Sequence, residues 1–275
     1  MLVPDPASID CAFYRLEEDV ARAGNNHDVS YLHGHRARYR RALMTISELL
    51  PPGSTVLDIG SQYLHQAFLL RELGYKVIAL DVPVFVELPF VAERARRSGV
   101  DNSPIANLEN FVHQLPAAHV DAVLFAEILE HITFNPIPFW RSVHTLLSED
   151  GFIYITTPNA LAVMNMLSAL KRLVTLQGMG LSVSAIMGNV TYGHHWKEYS
   201  QKEIAEYFGA LSPDFQADVH TYHYRRYEYG RGLGEQARRL VRWLGAVSRA
   251  FDEELEVVVR VPRRTAWTVS PPPFG

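Results

Sequence analysis

The chain has 275 residues, 48% hydrophobic and 20% charged, an ordinary globular composition that suits one sizeable domain with an insertion, or at most two small ones. Its net charge of −4, from 26 Lys+Arg against 30 Asp+Glu, argues against a general nucleic-acid binder. The single Cys11 excludes an internal disulfide and a cysteine-built metal site. The opening residues, MLVPDPASID, have neither a basic region nor an apolar core, so no secretion signal is read there and a cytoplasmic protein is expected.

In chain order, residues 8–50 read as two helices. Ser8 is a candidate cap for the first, Gly24-Asn25-Asn26 breaks it, and an arginine-rich second helix ends at Pro51-Pro52-Gly53. Tyr31, His33, His35 and Tyr39 on that second helix either line a cleft or make ordinary contacts on a solvated face. The stretch Val56 to Asp81 follows, and the rest of the chain is organised around it. An apolar run (Val56 to Ile59) ends at Gly60; a helical pattern with Phe68, Leu69, Leu70 and Leu73 stops at Gly74; a second apolar run, Val77 to Leu80, ends in Asp81. This is a strand–helix–strand unit with a right-handed crossover and parallel strands. Ligands of such sheets bind outside the carboxyl ends of the strands, where Asp81 is well placed to accept hydrogen bonds from a ribose diol.

D-I-G followed by L-G-Y-K-V-I-A-L-D resembles the first two motifs of the class I S-adenosylmethionine (SAM) dependent methyltransferases. The resemblance spans about residues 40 to 210. It implies an α/β, Rossmann-like fold: a seven-stranded, mostly parallel sheet with helices on both faces. It also implies that the N-terminal helices 8–50 cap the cofactor and part of the substrate cleft. The family usually writes G-x-G-x-G where this chain has Gly60-Ser61-Gln62-Tyr63-Leu64. A side chain in the left-handed region costs about 1–2 kcal/mol, so either this loop takes another path or Gln62 meets the cofactor directly. Ile105 to Glu109 resembles the third strand and turn, with Asn107 able to accept from the adenine amino group and the Leu108 N–H facing adenine N1. The implied cofactor site is Asp58, Gly60, Ser61, Gln62, Asp81, Val82, Asn107, Leu108 and Ala126.

Val120 to Phe125 reads as a fourth strand running into A-E-I-L-E-H-I. If Glu127 onward is helical, Glu127, Glu130 and His131 share one face, a set suited to a hard divalent cation or to a glutamate that merely braces the loop. Gly151 to Thr157 is the fifth strand, followed by Pro158-Asn159. Later comes H-H-W-K-E-Y-S, opening a helix at Ser200 with Glu203 as its capping-box partner. The set E-x-x-E-H, T-P-N and H-x-x-E-Y-S is similar to metal-assisted O-methyltransferases, such as the small-RNA 3′-end 2′-O-methyltransferases and those of ubiquinone biosynthesis. It implies Mg²⁺ or another divalent cation on Glu127, Glu130, His131 and His195. His131, His195 and Glu127 are the catalytic candidates, with His195 the base if no cation binds.

Residues 160–195 form a substrate-side insertion. Its apolar run, Leu161 to Leu170, is interrupted by Lys171-Arg172 and falls short of the ~20 residues of a membrane span. It reads either as a lid over an apolar or lipid-linked substrate or as a helical pair on the core. The arrangement also resembles bacterial methyltransferases of surface-glycan and lipid-linked sugar pathways. Ser200 to Phe208 is a helix, Asp214 to Tyr224 a strand, Gly230 to Ala250 an arginine-rich helix and Leu255 to Val261 a last strand. The arginine-rich helix either covers the sheet or makes peripheral contact with a membrane or an anionic substrate. With no linker or repeat, a single methyltransferase domain over 1–275 is expected. The expected function is SAM-dependent O-methylation of a small molecule, sugar or lipid-linked glycan, with nucleic acid as acceptor disfavoured. The alternatives are a non-catalytic subunit on the same fold and RNA 2′-O-methylation.

Overall fold

The computed structural model describes residues 5–109, 111, 119–223, 249–262, 267 and 269–272. The expected arginine-rich helix at 230–250 falls almost wholly outside them.

Among the described residues, seven strands form one mixed sheet in the order β3-β2-β1-β4-β5-β7-β6, with helices on both faces. The strands are β1 (Thr55–Ile59), β2 (Lys76–Asp81), β3 (Asp101–Pro104), β4 (Val120–Ala126), β5 (Leu147–Pro158), β6 (Gln216–Tyr222) and β7 (Glu254–Arg260). The strand order reverses beside β1, which pairs in parallel with β2 on one side and with β4 on the other. That reversal leaves a crevice at the carboxyl ends of the strands, the ligand position of such sheets.

The chain divides into two compact units, one drawn from Met1–Phe125, Asn135–Tyr154 and Arg260–Gly275, the other from Ala126–Phe134 and Ile155–Val259. The first is built on apolar strands with both faces covered. Val56, Leu57, Ile59, Ala79, Leu80, Val123, Leu124 and Phe125 are all buried, each full burial of such a side chain contributing about 1.5–3 kcal/mol for the larger ones. Its helices are α1 (Pro6–Ala23), α2 (Asn26–Leu49), α3 (His65–Glu72), α4 (Pro83–Val86), α5 (Pro89–Ser98) and α6 (Pro136–Leu146). Helix α1 starts earlier than Ser8: Asp5 is the cap, its side chain accepting from Ala7 N–H, and Pro6 occupies the first helical position, where a missing N–H costs nothing.

Strand β3 is Asp101–Pro104, ahead of the Ile105–Glu109 stretch expected to hold the third strand and its turn. It is a polar strand at the sheet edge, and its register puts Pro104 opposite Asp81. Proline is tolerated at such an edge because it has no ladder bond to donate there. The expected residues 105–109 form the turn that follows, which moves Asn107 and Leu108 past the end of the strand.

In the second unit, α9 (Gln201–Leu211) buries Ile204, Phe208 and Leu211. The expected capping box is present: Ser200 Oγ accepts from Glu203 N–H, and Glu203 Oε2 accepts from Ser200 N–H. Ser200→Ala should cost about 1 kcal/mol, read as a shift in the denaturant midpoint. Helices α7 (Val163–Val174) and α8 (Val183–Gly188) have no buried residue, so the helical pair does not pack on the core. Among the described residues no helix is long and apolar enough to cross a membrane.

Candidate functional site

The loop after β1 is the first candidate region. Gly60 N–H returns to Leu80 O at 2.8 Å, and Leu64 N–H closes a turn onto Ser61 O at 2.7 Å. Gly60, Gln62 and Leu64 all have positive φ, at 81°, 43° and 60°. The loop therefore keeps a glycine-like path although two positions carry side chains. Leu64 offsets its strain by complete burial. Gln62 N–H donates to Asp81 Oδ2 at 2.5 Å, so a side-chain acceptor at the end of β2 holds the strained residue in place.

Asp81 is buried at the tip of β2, and its Oδ1 accepts from Val82 N–H at 2.6 Å. Each carboxylate oxygen has a further lone pair for a ligand donor. Burial raises the Asp81 pKa to about 6, against the lowering effect of the Gln62 and Val82 N–H groups. Asp58, deeper in β1, is pushed up to about 7 by burial and by the charge on Asp81, and its Oδ2 has no hydrogen-bond partner in the described structure. Two buried carboxyls at adjacent strand ends thus create an unmet demand for donors. Asn107 is exposed; its Oδ1 accepts from Glu109 N–H at 2.8 Å and keeps one lone pair for a ligand.

Aromatic side chains gather beside this loop. Tyr31 meets His35 at a 4.2 Å ring-centroid distance and Tyr63 at 5.3 Å, and Tyr63 also touches Phe85 and Phe90. Tyr39 is buried and His33 faces outward, so two of the four aromatic candidates on α2, Tyr31 and His35, are only partly buried. Below them His65 Nε2 lies 2.6 Å from Asp28, and the fully buried Arg94 binds Asp28, Asp19 and Tyr63 O. This network braces the loop from beneath. The sequence pattern did not point to it, because Asp28 and Arg94 lie 66 residues apart on helices that look solvated.

The second candidate region lies within the other unit. Strand β4 ends at Ala126, and Glu127 N–H donates to Thr156 O at 2.8 Å. Glu127 then takes a φ of 58°, and Leu129–His131 form a single 3-10 turn. The expected helix from Glu127 is therefore absent: the ladder bond and the left-handed turn prevent it. One ligand atom each from Glu130, His131 and His195 lies within 4.8 Å of the others. Glu127 stands outside this trio, near enough for its charge to act on Glu130.

His195 reaches Glu130 because the backbone brings it there. Trp196 N–H donates to Glu130 O at 2.8 Å, and Asn159 bridges Tyr199 in parallel, with Ala160 N–H on Tyr199 O. The side chains are oriented in turn. His131 Nδ1–H donates to His194 O at 2.9 Å, and His195 Nδ1 meets Glu198 Oε1 at 3.0 Å, so both rings direct Nε2 elsewhere. Glu198 is itself held by Asn165 Nδ2 at 2.7 Å. Thr157 Oγ donates to Glu130 Oε2 at 2.9 Å, while Glu130 Oε1 is buried with no hydrogen-bond partner in the described structure. Thr157, Asn165 and Glu198 were not foreseen as contributors, although T-P-N and H-x-x-E contain two of them.

Burial, reinforced by the charge of Glu127, lifts the Glu130 pKa to about 8. Burial lowers that of His131, whereas the Glu198 hydrogen bond raises that of His195. A buried carboxyl whose Oε1 has no hydrogen-bond partner and lies 3.9 Å from His131 Nε2, beside two imidazoles whose Nδ1 atoms are engaged elsewhere, is a donor set that fits a divalent cation.

A search of curated proteins returns no sequence match. Solved structures share the fold at low identity. The Burkholderia thailandensis 1,6-didemethyltoxoflavin-N1-methyltransferase, with its acceptor and S-adenosylhomocysteine bound, is 17% identical; the match covers 96% of this chain and 93% of that one at a TM-score of 0.54. The plantazolicin methyltransferase BamL, bound to a triazolic desmethylPZN analog and SAH, is 13% identical over 94% and 98% at 0.53. The [4+2]-cyclase SpnF is 16% identical over 81% of each chain at 0.51, so this fold by itself does not dictate the reaction. A family profile described as a methyltransferase domain matches residues 31–211, from the middle of the N-terminal helices to the end of α9. With the strand–loop–helix cradle and its terminal Asp81, that match makes the chain a member of the methyltransferase domain family, a class I SAM-dependent methyltransferase.

Proposed function

We propose that the chain methylates a hydroxyl of a small molecule, sugar or lipid-linked glycan, with a divalent cation held by Glu130, His131 and His195. The observation that carries this reading is the convergence of three ligand atoms within 4.8 Å, one of them from a buried carboxyl. The two acceptor- or analog-bound neighbours support a small-molecule acceptor.

In this reading the donor's ribose hydroxyls donate to Asp81, and Asn107 with the Leu108 N–H meets the adenine. Asp58, Gly60, Ser61, Gln62, Val82 and Ala126 complete the donor site. Methyl transfer is an in-line displacement: the acceptor oxygen forms a bond to the methyl carbon as the carbon–sulfur bond breaks, leaving neutral S-adenosylhomocysteine. Placement of the acceptor therefore supplies most of the rate, about 7–11 kcal/mol at best. A divalent cation in this set would make an aliphatic hydroxyl more acidic and fix its position. Where the cation is absent, His195 is the base, with Glu198 stabilising the imidazolium; Glu127 and His131 are the other nearby acceptors.

The test is methyl transfer to a panel of hydroxyl acceptors before and after chelation. Loss of O-methylation on chelation, restored by Mg²⁺ or Mn²⁺, is expected. Undiminished O-methylation in chelator would remove the cation from the mechanism, and methylation only at nitrogen or carbon would remove the acceptor class.

A further inference from the structure

Apart from Asn165, which holds Glu198, the apolar arm carried by α7 and α8 has no role in the chemistry above. Its side chains face solvent: Leu173 is 68% exposed, Val174 75%, Leu176 92%, Met179 69%, Val183 73% and Met187 82%. Exposure runs through both helices and the turn between them, which makes a blunt tip rather than one narrow seam. A coiled-coil partner would require a single stripe. Contiguous apolar exposure of this kind marks a contact surface.

Its charge identifies the partner. Between Asp150 and Glu198 there is no Asp or Glu at all, in a chain whose net charge is −4. The charged residues of that interval are Lys171, Arg172 and Lys197, all basic. Lys171 and Arg172 fall in the last turn of α7, immediately before the most exposed apolar residues. Where the arm returns to its unit, Tyr192 and Trp196 are 51% and 45% exposed. Those are the amphipathic rings that settle at headgroup level. Helices of 12 and 6 residues are too short to span a bilayer.

We propose that residues 161–190 insert their apolar tip into the interface of an anionic lipid bilayer, with Lys171 on the headgroups and Arg172, whose guanidinium donates to Gly180 O within the arm, adding its positive charge behind the tip. This does not depend on the acceptor or the cation proposed above. Asn165, in the first turn of α7, holds Glu198, so the docked arm stays tied to the segment that carries His195.

The experiment is sedimentation of the full chain with vesicles of phosphatidylcholine alone or mixed with phosphatidylglycerol, at low and high salt. Binding to the mixed vesicles is expected, weakening as salt rises. The double variant L173D/L176D should bind at least about tenfold more weakly, and K171Q about fivefold more weakly on anionic vesicles only. Lys171, Leu173 and Leu176 are all exposed on the arm, and an unchanged melting curve and donor affinity would show that the variants fold. No sedimentation of the wild type, or equal sedimentation of L173D/L176D, overturns the proposal. So does sedimentation velocity showing that L173D/L176D converts a dimer to a monomer, since the tip would then be covered by a second copy.

Discussion

Glu130→Gln is expected to reduce turnover by roughly 10²–10⁴-fold while donor affinity stays within about twofold, because the change removes an ionisable cation ligand and leaves the loop after β1 untouched. Its stability should move the other way. The Glu130 pKa in the fold, about 8, lies above the ordinary glutamate value of 4.5, so the folded protein binds a proton there that the unfolded chain releases. The stability this proton contributes is fully present below about pH 4.5 and is lost as pH rises through 8. Glutamine cannot ionise. Without added metal, E130Q should therefore melt no lower than wild type at pH 7 and higher than wild type above pH 8, while divalent cations no longer raise its melting temperature. His195→Ala should cause a comparable loss of turnover. A wild-type rate in both variants would remove the cluster from the reaction.

Asp81→Ala should weaken SAM binding by about a hundredfold, read by calorimetry. A hydrogen bond to a charged acceptor contributes about 1.5–3 kcal/mol, and the ribose would lose one or two of them. The same substitution leaves the N–H groups of Gln62 and Val82 without their acceptor, and Gln62 is already at positive φ. A smaller loss of donor affinity should therefore follow from Asp81→Asn, which keeps acceptor capacity in place. The pH dependence follows from the Asp81 pKa of about 6. Hydroxyl donors favour the ionised carboxylate, so SAM affinity should hold above that pH and fall as pH drops through it. In the unliganded protein the sign is reversed: a raised folded-state pKa makes protonation stabilising, and that contribution is lost between about pH 4 and 6.

The cradle was legible in the sequence because its elements announce themselves locally. Val56–Ile59 and Val77–Leu80 are apolar runs of strand length, Gly74 stops the helix between them, and Asp81 is the first charged residue after the second run. Ser200 and Glu203 were equally plain, since a capping box is a four-residue device. The third strand was not legible: Asp101-Asn102-Ser103-Pro104 has no apolar alternation and is a strand only because β2 offers it an edge. The helical reading of Glu127 to His131 failed for a related reason. Spacing favoured one helical face, but the Glu127 N–H is committed to Thr156 on a neighbouring strand. Yet three of the four cation ligands that the resemblance implied, Glu130, His131 and His195, converge, because the contact of Trp196 with Glu130 joins segments 66 residues apart. The supports of the loop after β1, Arg94 with Asp19 and Asp28, were invisible because each lies on a helix whose charges look solvent-facing.

The most direct test is a crystal structure of the full chain grown with S-adenosylhomocysteine. The ribose hydroxyls should lie within hydrogen-bonding distance of the Asp81 carboxylate, beyond the carboxyl ends of β1 and β2. Density for that ligand at any other place on the chain, or none at a saturating concentration, would contradict the account.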